Sequence, residues 1–190
     1  PQAATKKNNT REFPLHNATQ YNLNVEIVKL ILEAYPQAAV EKDNFDMFPL
    51  HGAVENNSNP EIVKLILEAY PQAAAEKDNN DDFPLHYVAQ YNSNIDIVNL
   101  ILDTYPQAVS KKNRFDMFPL HHVTQYNSNV DVVKLILEAY PQAISEKDED
   151  DMFPLHFATR HNSNVEVVKL ILDAYPQAVN EKDDDSRLPL

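Results

Sequence analysis

Histidines stand at positions 16, 51, 86, 121 and 156, each 35 residues after the last and each preceded by Pro-Leu. An imidazole can act as base, metal ligand or hydrogen-bond link. A role repeated in every copy of a unit fits the last of these, an imidazole tying neighbouring units together. His122 and His161 lie outside the repeat. His121 and His122 are adjacent, but no Cys and no fixed carboxylate spacing completes a metal set around them. Acidic runs at 78–82, 148–151 and 183–186 carry the oxygens that hard cations favour. They lack the spacing and the central Gly of a calcium loop, and read as solvated tips. Residues 111–115, Lys-Lys-Asn-Arg-Phe, form one basic and aromatic exception, suited to a phosphate or an acidic partner. Glycosylation sequons begin at Asn8, Asn17 and Asn56. They read as chance matches, since Asn17 falls within a helix and no secretory leader precedes them.

Catalysis finds no foothold. One glycine, Gly52, in 190 residues cannot build a dinucleotide turn, a phosphate loop or a nucleophile elbow, and no Cys is present as nucleophile or disulfide. No carboxylate pair sits in an apolar setting that would raise a pKa. The chain reads as non-enzymatic, with no cofactor and no metal. A net charge of −13 and a pI near 4.8 set the average surface against phosphate backbones and anionic lipid, so nucleic acid and membrane are disfavoured. With 43% hydrophobic residues the chain can bury a core, while no apolar run approaches the roughly 20 residues of a membrane span. A soluble protein is expected, in the cytoplasm by default.

The 35-residue period holds without insertion. Five full units run over 8–42, 43–77, 78–112, 113–147 and 148–182, with partial units at 1–7 and 183–190, so the expectation is a single solenoid over 1–190 cut from a longer array. Within a unit, a polar turn leads to a short helix opened by Pro at its first position. An Asn-x-Asn break comes next, then a longer helix with Asn at the N-cap (Asn24, Asn59, Asn94, Asn129, Asn164) and an acid two residues on. Val25, Val28 and Leu32 share a stripe with Ile27 and Ile31, while Glu26, Lys29 and Glu33 occupy the other face. The Tyr-Pro pair ends this helix, and an extended return is predicted after it. Neither helix can bury its stripe alone, so stacking must supply the core.

The unit resembles the ankyrin repeat. Its signature stands here as FPLHNA (13–18), FPLHGA (48–53), FPLHYV (83–88), FPLHHV (118–123) and FPLHFA (153–158), followed by segments such as VEIVKLILEA. The resemblance covers essentially the whole chain and implies an all-α solenoid of stacked helix-turn-helix repeats with hairpin-like loops. Three departures stand out. One extra residue is assigned to the turn between helices and one to the return. Asp46, Asp81, Asp116 and Asp151, with Arg11, replace the hairpin glycine, and Asn22, Asn57, Asn92, Asn127 and Asn162 replace the glycine ending the first helix; both sets are predicted to take left-handed backbone. Phe13, Phe48, Phe83, Phe118 and Phe153 replace the family threonine, which leaves the histidine's partner open.

Positions shared by all copies serve stacking, and positions that differ are free to serve a partner. The differing positions fall at the hairpin tips and on the first helix, which in ankyrin proteins line the concave groove. Carried over, the candidate partner-binding residues are Phe45, Met47, Asp82, Arg114, Phe115, Met117 and Met152 at the tips. On the first helices they are Tyr87, Tyr91, His122, Tyr126, Phe157, Arg160 and His161. Tyr, Phe, Met, His and Arg are types enriched at interfaces. For Tyr87 and Phe157 the competing role is packing between neighbouring first helices. The leading expectation is a scaffold gripping a protein or peptide, favoured basic or amphipathic. The alternative is a spacer or elastic rod segment that associates head to tail through uncapped ends.

Overall fold

A computed structural model describes residues 6–9, 11–21, 24–56 and 58–190. Ten α-helices are found among the described residues: α1 Pro14–Tyr21, α2 Val25–Ala34, α3 Pro49–Asn56, α4 Pro60–Ala69, α5 Pro84–Tyr91, α6 Ile95–Thr104, α7 Pro119–Tyr126, α8 Val130–Ala139, α9 Pro154–His161 and α10 Val165–Ala174. Odd-numbered helices pack in one row and even-numbered helices in a second, each unit against the next.

The local physics explains these boundaries. Pro occupies the first turn of each odd helix, where its missing N–H leaves nothing unpaired. The Asn caps accept from the N–H two residues on at 3.0 Å in all five longer helices. Each even helix stops at the Tyr before Pro. The segment beyond differs from the extended return expected. It is a 3-10 turn in every unit (Pro36–Val40, Pro71–Ala75, Pro106–Ser110, Pro141–Ser145, Pro176–Asn180), because Pro pre-sets a helical φ and Ala38 N–H reaches the Tyr35 carbonyl at 3.0 Å. Ala38, Ala73, Ala108, Ala143 and Ala178 are thereby turned into the core.

The core is a continuous column. Leu50, Leu85, Leu120 and Leu155 are essentially unexposed, as are Ile62, Ile66, Ile97, Ile101, Ile136 and Ile171. Ile27 is 37% exposed where its counterparts Ile62 and Ile97 are fully buried, since a preceding outer helix covers only the latter. The phenylalanines of FPLH stack on their own unit's histidine and tilt against the Tyr that ends the same unit, with ring centroids 5.6 to 6.3 Å apart. Lys7, Lys42, Lys112 and Lys147 lie over Phe13, Phe48, Phe118 and Phe153. This aromatic pile accounts for the invariance of Phe, Tyr and Lys between copies.

The two glycine replacements have different causes. Arg11, Asp46, Asp81, Asp116, Asp151 and also Ser186 take φ between 58° and 64°, so the hairpin keeps the left-handed turn without glycine. Asn92, Asn127 and Asn162 instead have φ from −114° to −83° with extended ψ, which corrects the left-handed expectation there. Asn22 and Asn57 lie outside the described residues. What the position requires is an amide. Asn92 donates to the Val54 carbonyl at 3.0 Å, Asn127 to Asn92 at 3.0 Å, and Asn162 to Asn127 at 2.9 Å, while each Oδ1 accepts the N–H of the capping Asn two residues later. The caps extend the pattern, Asn94, Asn129 and Asn164 each donating to the preceding unit's Ser carbonyl. Replacing Asn127 by Ala strips a buried ladder of its donor and acceptor, and a loss of about 1–3 kcal/mol in urea unfolding is expected. Asn127→Asp keeps only the acceptor and should recover little of it.

Candidate functional site

The motif histidine has one partner in every unit and a second in three of them. Its Nδ1 accepts the N–H of the Phe three residues before it, at 3.1 to 3.2 Å in all five units. That bond places the proton on Nε2. Nε2 of His16 and His86 donates to the carbonyls of Met47 and Met117 in the next unit's hairpin, and that of His121 to Glu146 at the end of its own unit, all at 3.2 Å. Those of His51 and His156 fall short of any acceptor. Burial drives the pKa of His51, His86 and His121 down to about 4 and lowers that of His16 and His156. The repeated histidines are neutral and buried, each bracing the start of its own helix and His16 and His86 also linking to the next unit, and among the described residues no three His, Asp or Glu side chains converge as a metal site.

Hairpins are built around one inner acid or amide. Oδ1 of Asp43, Asp78, Asn113 and Asp148 accepts two backbone N–H groups of its own tip at 2.8 to 3.1 Å. The inner oxygens of the acidic runs are thus engaged within the turn. Successive tips are joined by Asn79 N–H to Phe45, Arg114 N–H to Asn80, Glu149 N–H to Phe115 and Asp184 N–H to Asp150, at 3.0 to 3.1 Å. Rows of tips and odd helices border one face, where the side chains that differ between copies collect.

The residue after each motif histidine forms the floor. The rings of Tyr87, His122 and Phe157 meet edge-on the preceding unit's His51, His86 and His121, at centroid distances of 5.4 to 5.7 Å. Phe157 is buried, so its place is in the packing between odd helices. Tyr87 is half-buried and its hydroxyl donates to Asp78 at 2.8 Å. Gly52 has no ring to lay on His16 and leaves a recess of about 210 Å³ bordered by Tyr21, Phe45 and Met47. A second recess of about 280 Å³ lies between α5 and α7, where Tyr91 and Tyr126 join Asp82, Phe115, Met117 and His122.

The remaining candidates divide by exposure. Phe45, Tyr91 and Tyr126 are 52 to 55% exposed and Phe115 36%, so they present apolar surface to solvent. Met47 and Met117 are half-buried beneath them, and Met152 and His122 are buried. Arg114 stacks on Phe115 at 4.9 Å and donates to the Asn79 carbonyl. Arg160 and His161 are both exposed, but the Arg160 guanidinium donates to Asp183 at 3.0 Å with Met152 sulfur beside it. Sequence reasoning missed Asn113, whose amide bridges Asp82 at 2.8 Å and His122 at 3.3 Å. A signal was present: Asn113 stands where four other tips carry Asp43, Asp78, Asp148 and Asp183, with Asn8 in the first tip as its one counterpart.

Among the described residues no helix is long and apolar enough to cross a membrane. No curated protein matches the chain. A family model described as ankyrin repeats (3 copies) matches residues 2–81 and 85–183. Paired helices, hairpin tips stacked in register and a Pro-Leu-His motif in each unit agree with that match over nearly the whole length, and the chain belongs to the ankyrin-repeat family, whose arrays are in general non-enzymatic modules of protein–protein interaction.

Proposed function

We propose that the chain is a scaffold that holds a partner protein or peptide along the face formed by the hairpin tips and the odd helices. One observation carries this reading. The exposed aromatics Tyr91 and Tyr126 of α5 and α7 and Phe45 and Phe115 of the tips occupy positions that differ between copies, and all four border recesses on one face. Tyrosine and phenylalanine half-exposed around a recess supply large contact area at small entropic cost. A net charge of −13 favours a basic or amphipathic ligand, drawn in by long-range attraction and then held by the rings.

The test places a photo-crosslinking phenylalanine analogue at Tyr126 in the groove or at Lys134 on the outer helix α8, in lysate of the source cell. A distinct partner cross-linked from Tyr126, absent from Lys134 and lost when Tyr91→Ala is added, is the expected result. The Tyr91→Ala chain should unfold within about 0.5 kcal/mol of the parent, as a half-exposed side chain away from the core. Equal products from both sites, or none, would favour the spacer reading.

A further inference from the structure

The recess between α5 and α7 differs from the rest of the row in the chemistry of its floor. Asp82 stands where Met47, Met117, Met152 and Arg187 stand in four other tips; the first tip also has an acid there, Glu12, but that carboxylate accepts from Asn8 and Asn17 of its own unit. The Asp82 side chain is only 15% exposed, and the acid that would sit beside it in the next tip is the neutral Asn113. Asn113 donates to Oδ1 at 2.8 Å. His122 lies 3.8 Å from the same oxygen, but burial holds its pKa well below the ordinary range, so it brings no charge. Arg114, whose charge reaches Asp82 without contact, spends its guanidinium on Phe115 and the Asn79 carbonyl. Asp82 is therefore a largely buried carboxylate without a cation in contact, and desolvation pushes its pKa up to about 6. Above it stand Tyr91 and Tyr126, each about half exposed, with Glu55 adding negative potential at Tyr91.

The array itself shows how this face receives a guanidinium. At α9, Arg160 lies in the position of Gln125 and Gln90 and donates at 3.0 Å to the buried Asp183, a tip carboxylate in the place that Asn113 takes at α7, so that between α5 and α7 the recess carboxylate is Asp82 in its stead. Between α5 and α7 the neutral glutamines leave the corresponding space unfilled by charge and the recess open. Resting on the groove-binding reading above, we infer that this recess is the receptor for one arginine side chain of the partner, its guanidinium paired with Asp82 and its planar face laid against Tyr91 or Tyr126. Arginine fits better than lysine, because a planar fork can bond the carboxylate edge-on and stack on a ring together, whereas an ammonium is a strongly hydrated point charge.

The probe is the tripeptide acetyl-Gly-Arg-Gly-amide, titrated into the isotope-labelled chain and followed by NMR, with the citrulline tripeptide as its neutral isostere. Shift changes centred on Asp82, Tyr91 and Tyr126 are expected, at least tenfold weaker in affinity for citrulline and for Asp82→Asn. That variant keeps an acceptor for Asn113 and should fold as the parent does. Asp103→Asn removes the same charge from the outer helix α6 and should leave affinity within twofold. The Asp82 carboxyl, followed by its carbon resonance, should titrate near 6 in the free chain and lower with the tripeptide bound. Equal binding of citrulline, undiminished binding to Asp82→Asn, or an Asp82 that titrates below 4 without ligand would each overturn the inference. A partner cross-linked through Tyr126 while the arginine tripeptide behaves as its citrulline twin would remove the arginine receptor and leave the groove reading standing. Arginine binding with no partner captured would do the reverse.

Discussion

Moving from pH 7.5 to pH 5 should destabilise the array by several kcal/mol. In the folded chain Nδ1 of each motif histidine accepts a backbone N–H, so protonating it would set two donors face to face in a buried site. The unfolded imidazole titrates near 6.5, whereas His51, His86 and His121 are held at about 4. Between these values the unfolded chain binds more protons. The stabilisation is therefore complete above about 6.5 and is lost as pH falls through the window. At pH 5 each of the three contributes a loss of about 2 kcal/mol, and His16, His122 and His156 act in the same direction. Asp82 opposes them, since a carboxyl raised to about 6 binds its proton more readily in the folded state, worth about 1 kcal/mol at pH 5. Urea unfolding followed by circular dichroism at the two pH values measures the difference. Equal midpoints would mean that the imidazoles are solvated in the folded chain and that the bracing role assigned to them is wrong.

Leu85→Ala should be the most damaging of the simple truncations. Leu85 is fully buried in α5 at the middle of the column, and removing its methyl groups is expected to cost about 2–5 kcal/mol. In an array each unit contacts only its neighbours, so weakness at the centre also uncouples the two halves. Urea unfolding should then separate into two transitions with reduced slope, where the parent unfolds in one. A single transition shifted by less than about 1 kcal/mol would show that the column relaxes around the gap.

The repeat, the helix pairs and their caps were legible in the sequence because each rests on local chemistry: Pro at a first turn, Asn at an N-cap, Tyr before Pro. The 3-10 turn was missed because Pro after a helix signals a stop without dictating the conformation beyond it, and Pro-Gln-Ala carries no strong preference of its own. The asparagines at the ends of α5, α7 and α9 were assigned a backbone role, when their amides serve a neighbour 35 to 38 residues away. Local propensity holds no trace of such a partner. Differences between copies singled out the tips and the odd helices, but which differing residue is presented and which is packed depends on the ring beneath it. Tyr91 and Phe157 look alike in a sequence comparison. One is half exposed and the other lies edge-on against His121.

The recurring inter-unit bonds reach fixed distances along the chain: 35 residues for the Asn127 and Asn162 amides, 36 for the Asn caps, 31 for His16 and His86. Any junction therefore offers the same complementary ends as any other. A gene carrying this array can gain or lose a whole unit by unequal recombination, and the seam will keep the same ladder spacing as the junctions around it. Lengthening a single unit by one residue has no such freedom, since it would pull the histidine, amide and tip ladders out of step together. Inheritance should accordingly alter such an array in whole repeats, adding or deleting groove positions while leaving the pitch untouched.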